Sequence, residues 1–151
     1  MDTVRLLRYL GAVLALVVAV VHLFHSQYGF PRFVQFAQLG AVGDPRPLVF
    51  TPLGFAIVAG ILLVYNGVAK RPVYAAGIAL MVALLGGYVA WHTVLDHGGF
   101  WPYREPHGHH DIGTVEVIVN HLLADWRDLV SKTAELALLV VLAVLYVKDW
   151  D

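Results

Sequence analysis

The chain contains no cysteine and few charged residues. Without cysteine, disulfide bonds, thiolate metal sites and dithiol redox relays are excluded, so any metal ion must be held by imidazole and carboxylate groups. Charged residues make up 14% of the chain, hydrophobic residues make up 59%, and the mean hydropathy is +0.70. Because a soluble domain carries about 25% charged residues, this composition predicts an integral membrane protein.

Two further absences narrow the function. The net charge is −1 and there is no long basic run, so nothing favours a nucleic-acid partner. The motif H-E-x-x-H is also missing, and no class of hydrolase is indicated. The expected partners are therefore bilayer lipids, together with another membrane protein or a second copy of the chain as a homo-oligomer.

Four apolar stretches predict the fold class, an all-α integral membrane protein built as a four-helix transmembrane bundle. A helical span needs about 20 mostly apolar residues, and one such bundle occupies 1–151 as a single domain. An amphipathic interfacial helix is expected over about 114–128, before the last span. The first stretch imitates a secretory signal but is followed by no small-x-small cleavage site, so we expect a retained anchor. The predicted spans cover about 9–25, 48–66, 73–95 and 129–147.

Helix starts and packing faces can also be predicted. Thr51 and Pro52 suit the cap and the first turn of the second span. Small residues recur every fourth position on two spans, which lets helix backbones approach closely. We therefore expect both stripes to be packing faces, with His22 on the packed side of the first span. The stripes are Gly11, Ala15 and Ala19 on the first span, and Ala75, Ala79, Ala83 and Gly87 on the third.

The distribution of basic residues predicts the orientation. Short basic flanks favour the cytoplasmic side, so we expect a multi-pass protein of the cell membrane with both termini in the cytoplasm. The residues expected on that side are Arg5, Arg8, Lys70, Arg71 and Lys148.

All eight histidines then fall on the outer side of the membrane. Imidazole is a common metal ligand and the usual titrating group near neutral pH, so any chemistry is expected there. The eight are His22, His25, His92, His97, His107, His109, His110 and His121.

Three spacings among these histidines are typical of metal ligands. His92-x-x-x-Asp96 and His121-x-x-x-Asp125 each place an imidazole and a carboxylate one helical turn apart. The run His107-Gly108-His109-His110-Asp111 lets three imidazoles and a carboxylate converge on Zn²⁺ or Cu²⁺. The predicted metal ligands are His92, Asp96, His97, His107, His109, His110, Asp111 and His121.

Several of these residues can instead have an ordinary structural role. His22 can hydrogen-bond a neighbouring helix as readily as it can bind a ligand, and His25 is expected to lie in water at the interface. The histidine-rich loop can simply be solvated. For Glu135, an ordinary ion pair with Lys132 three residues earlier is the default interpretation.

Three function classes remain open. The first is a membrane protein with an outer Zn²⁺ or Cu²⁺ site, used for metal handling or as a metalloenzyme. The second is an electron-transfer subunit in which His22 and His92 are the axial ligands of one haem b. The third is a non-catalytic small subunit of a larger membrane complex.

The predicted orientation can be tested with single cysteines, for which this cysteine-free chain is a clean background. Ser26→Cys and Gly108→Cys should react with an impermeant thiol reagent on intact cells, whereas Gly67→Cys should react only after the cells are permeabilised. Labelling of Gly67→Cys but not of Gly108→Cys in intact cells would overturn the orientation.

Overall fold

The computed structural model describes residues 2–102, 104–106 and 112–149, and every regular element within these ranges is helical. Four of the helices are long and apolar enough to cross a membrane: α1, α3, α4 and α6. The all-helical class predicted from the sequence is confirmed. The helices are α1 (Thr3–Phe24), α2 (Phe30–Leu39), α3 (Arg46–Tyr65), α4 (Lys70–His92), α5 (Thr114–Ala124) and α6 (Trp126–Lys148), with a 3₁₀ turn at Asp96–Gly98.

The four long helices form one bundle in which α6 packs against both α1 and α4, and α1 also packs against α3. Because the chain reverses after each long helix, both termini lie at one end of the bundle, here called the terminal end. Helices α2 and α5 and the 3₁₀ turn lie at the opposite end. We call it the histidine end, since the five histidines that the structure describes are all found there.

The core is built on the small-residue stripe of α1. Gly11, Ala15 and Ala19 are all buried, and a Cβ added at Gly11 would lie 3.3 Å from Cγ1 of Val141 on α6. Close approach of α1 and α6 therefore requires small side chains, as predicted. Around this stripe the main core cluster includes Val18, Met81 and Leu138.

The matching prediction for α4 was wrong. The stripe Ala75, Ala79, Ala83 and Gly87 is exposed, and nothing within the described structure lies within 4 Å of a Cβ added at Gly87. The buried face of α4 instead carries Tyr74, Met81 and Leu84. Larger side chains remove more apolar area when they pack against α6, and they decide which face of α4 turns inward.

Helix α2 was not predicted from the sequence, and α3 starts earlier than predicted. Helix α2 has a proline in its first turn, and Gly40, with a φ of 64°, ends it by donating its N–H to Phe36 O. A proline start and a left-handed glycine stop are ordinary boundary signals. Helix α3 begins at Arg46, so Pro52 lies inside it and Thr51 is a buried residue of the second turn, not a cap.

The predicted interfacial helix and the last span are two helices. At Asp125 the backbone is extended, with φ −126° and ψ 117°, and the Asp125 carboxylate accepts a hydrogen bond from the Arg127 N–H at 2.8 Å. Capping by this side chain starts α6 as α5 ends. Helix α5 turns Val117 and His121 inward, whereas Val115 is 76% exposed.

One carboxylate joins three elements at the terminal end. Asp149 is buried and accepts hydrogen bonds from Arg8 Nε at 2.6 Å, Tyr74 Oη at 2.7 Å and Lys70 Nζ at 3.3 Å. The hydrogen bonds from Arg8, helped by those from Tyr74 and Lys70, outweigh burial and lower the pKa of Asp149 to about 2. Asp149 therefore stays ionised and holds α1 and α4 to the end of α6.

The exposed stripe of α4 leads to a stability prediction. Leu84 is 4% exposed, so Leu84→Ala should leave a cavity and cost about 2–5 kcal/mol. Ala83→Leu on the neighbouring exposed position should change stability by only about 0.5 kcal/mol. Thermal unfolding of both variants in one detergent measures the order. A larger loss for Ala83→Leu would show that the stripe is a packing face after all.

Candidate metal centre

Three histidines from three elements meet at the histidine end. His92 is the last residue of α4, His97 lies in the 3₁₀ turn, and His121 lies in the last turn of α5. One ring nitrogen of each lies within 4.8 Å of the others, and all three residues are at least partly buried. We call this group the histidine trio. Its side chains can hold a metal ion.

Backbone hydrogen bonds fix the tautomers of two members of the trio. His92 Nδ1 lies 2.9 Å from Tyr88 O, and His121 Nδ1 lies 2.8 Å from Val117 O. A carbonyl oxygen can only accept, so each Nδ1 carries the proton and donates it. In the neutral ring, Nε2 is then left with a lone pair. Metal-bound histidines are usually oriented by a hydrogen bond of this kind from the other ring nitrogen.

His97 brings a third ring nitrogen close to those of His92 and His121. His97 Nε2 lies 3.0 Å from His121 Nε2, and the ring centroids of the trio are 4.6–5.0 Å apart. Two nitrogens bound to tetrahedral Zn²⁺ at about 2.0–2.1 Å are separated by about 3.3 Å. A small widening of the His97–His121 contact therefore admits an ion, which would replace the proton shared between them.

An uncommon backbone conformation positions His97. Asp96, His97 and Gly98 all have positive φ, at 44°, 55° and 87°. For a residue other than glycine this conformation costs about 1–3 kcal/mol and is concentrated at functional sites. A Cβ added at Gly98 would lie 2.5 Å from Cη2 of Trp91. Only glycine fits against this ring, which holds the turn beside the end of α4.

The structure separates the predicted metal ligands into three groups. His92, His97 and His121 come together in the trio. Asp96 does not join them: because α4 ends at His92, the expected pairing of His92 and Asp96 one turn apart on a helix was wrong. The remaining predicted ligands, His107, His109, His110 and Asp111, lie outside the described residues.

A network of charges and aromatic rings borders the site. The Arg46 guanidinium lies over the rings of Tyr28 and Trp91, 5.2 and 4.9 Å from their centroids. Asp44 forms ion pairs with Arg46 at 2.7 Å and Arg104 at 2.6 Å. Burial opposes ionisation of Asp44, but the hydrogen bonds and charges of the two arginines outweigh it, so the pKa of Asp44 lies below its ordinary value. This network was not predicted from the sequence, because Tyr28, Trp91 and Arg104 are far from Asp44 and Arg46 in the chain.

His22 has a different environment from the trio. It is 1% exposed, its Nε2 lies 2.9 Å from Oε1 of Glu135, and its ring stacks on Phe50 at 4.7 Å. Glu135 also accepts from Ser131 at 2.8 Å and from Lys132 at 2.7 Å, which confirms the predicted pairing with Lys132. His22 is therefore a link between α1 and α6, and its contacts do not favour axial ligation of haem.

His25 is not in water, contrary to the prediction. It is 4% exposed, and its ring stacks on Tyr28 at a centroid distance of 3.6 Å. Its Nδ1 accepts a hydrogen bond from the Gln27 N–H, so the proton is on Nε2, 3.8 Å from Oδ2 of Asp125. Burial lowers the pKa of His25 below its ordinary value and so favours the neutral imidazole.

Comparison of the chain with protein-family models, with curated proteins and with solved structures finds no match.

The structural role of His22 can be tested by His22→Phe, which keeps a ring against Phe50 but removes the hydrogen bond to Glu135. Loss of a buried hydrogen bond to a charged group should cost about 1.5–3 kcal/mol, measured as thermal unfolding in detergent. Phe24→Ala, at a 69% exposed position on the same helix, serves as the control. A haem absorption band in the wild type that disappears in His22→Phe would contradict the structural role.

Proposed function

We propose that the chain is a membrane protein that binds one divalent transition-metal ion at its outer face, through His92, His97 and His121. The observation that carries this proposal is the convergence of three ring nitrogens within 4.8 Å. Two of the three rings are oriented by backbone carbonyls so that Nε2 has a lone pair. We also propose that the histidine end of the bundle faces the outside of the cell.

The donor set favours Zn²⁺ and Cu²⁺. Three imidazoles with no thiolate suit ions of borderline softness, whereas Mg²⁺ and Ca²⁺ prefer oxygen ligands. Cu²⁺ generally binds a given set of nitrogen ligands more tightly than Zn²⁺. His107, His109, His110 and Asp111, which lie outside the described residues, remain predicted ligands of the ion.

Metal handling is the function that the trio supports best. Structural zinc sites are closed by four protein ligands, whereas three ligands leave one coordination position open, at which an incoming ligand can bind the ion and remove it. A second candidate is a metalloenzyme. The same vacant position can hold a water whose pKa a zinc ion lowers to about 7.

Titration calorimetry with Zn²⁺ and Cu²⁺ tests the proposal on the full chain in detergent. At pH 7.5 we expect one ion per chain, and binding should be lost towards pH 5. The sign follows from competition, because a proton and the ion need the same imidazole lone pair, and an ordinary imidazole with a pKa of about 6.5 is mostly protonated at pH 5. His92→Ala should weaken binding by more than about 100-fold, since loss of an outer hydrogen-bond partner alone costs about 10–100-fold.

His109→Ala is the matched control, and it should weaken binding less than His92→Ala. The ring of His92 is already oriented by its helix, whereas the sequence predicts that His109 lies in a glycine-containing loop, whose ligands would lose conformational entropy on binding. Thermal unfolding of each variant without metal shows whether it is folded. No heat of binding at pH 7.5, or binding unaffected by His92→Ala in a folded protein, would reject the site and favour the non-catalytic subunit over the other function classes.

A further inference from the structure

A second site lies in the other half of the bundle. A cleft of about 460 Å³ opens between the four long helices near the terminal end. Pockets for small molecules usually have volumes of about 300–1,000 Å³. The residues that line the wall are apolar except for Arg8 and Tyr74 at its outermost end, whose polar groups bind Asp149 there. A ligand that fits must therefore be apolar along its length and polar at one end.

The length of the cleft matches half of a bilayer. Its wall runs from Arg8 to Ala15 on α1 and from Pro72 to Met81 on α4. At a rise of 1.5 Å per residue, these segments span about 10 and 14 Å along the helix axes. One leaflet of hydrocarbon is about 15 Å thick, half of the roughly 30 Å of a bilayer. The cleft therefore has the extent of one acyl chain.

The cleft is also open to the lipid around the bundle. Ala59 on α3 and Ala76 on α4 line it, and both are exposed on the surface of the protein. Small side chains at these two positions leave an entrance between α3 and α4. An acyl chain can enter from the bilayer without unfolding either helix.

The basic residues at the polar end of the cleft favour a lipid with an anionic headgroup. Arg8 and Lys70 both form ion pairs with Asp149, so two cations face one carboxylate among the residues of this cluster that the structure describes. Arg71, in the first turn of α4, lies over the ring of Tyr146 nearby. A basic residue near the membrane surface raises the affinity for an anionic lipid about fivefold.

From these observations we infer that the cleft binds one acyl chain of an anionic phospholipid, with the lipid phosphate beside Arg8. This site is separate from the histidine trio and does not depend on the metal proposal.

Native mass spectrometry of the full chain in detergent tests the inference, with dioleoylphosphatidylglycerol and dioleoylphosphatidylcholine as probes. We expect one phosphatidylglycerol per chain and about fivefold weaker binding of phosphatidylcholine. Ala76→Leu narrows the cleft and should reduce phosphatidylglycerol binding. Ala83→Leu, an exposed alanine on the same helix outside the cleft, should leave binding unchanged. Arg8→Gln should remove the preference for phosphatidylglycerol.

Three results would overturn the inference. Equal retention of the two lipids would reject the headgroup selection, and equal binding by Ala76→Leu and Ala83→Leu would reject the cleft. A dimer that forms when lipid is removed would show that a second copy of the chain covers this surface. If Arg8→Gln does not fold, the two lipids on the wild type and the two alanine variants still decide the question.

Discussion

One constraint determines how the helices of the bundle are arranged. Every carboxylate that the last span brings into an apolar environment must be paired. Asp128 of α6 accepts from Tyr28, Glu135 accepts from His22, and Asp149, just beyond the helix, accepts from Arg8, Lys70 and Tyr74. An unpaired charge at such depth costs several kcal/mol. These pairs therefore fix the rotation and height of α6 relative to α1 and α4, and the apolar core fills the space between them.

Hydropathy was enough to predict the class and the number of long helices, because a membrane span is a property of local composition. It could not predict which face of α4 turns inward. The stripe from Ala75 to Gly87 and the face with Met81 and Leu84 are both regular at helical spacing, and the choice depends on what α6 presents. Helix α2 was missed for a different reason: it is short, and only its proline and Gly40 mark its ends.

The candidate site was predicted in part. The residue types and the end of the bundle were read from the sequence, and three of the predicted ligands meet. Their meeting depends on the positive φ of Asp96 and His97, which no spacing rule indicates and which replaced the expected helical pair of His92 and Asp96. The hydrogen bonds that orient His92 and His121 are made by backbone carbonyls four residues earlier. Such hydrogen bonds can be predicted only once the residues at which the helices end are known.

The extended backbone at Asp125 makes α5 a separate helix from α6. Helix α5 is not continuous with the span that follows, so an opening of α5 would break none of the backbone hydrogen bonds within α6. His121 is on this separable helix, whereas His92 is anchored at the end of a span. An ion bound between them would crosslink α5 to the end of α4. Local opening of α5 would then become less frequent as the free metal concentration rises, in proportion to site occupancy.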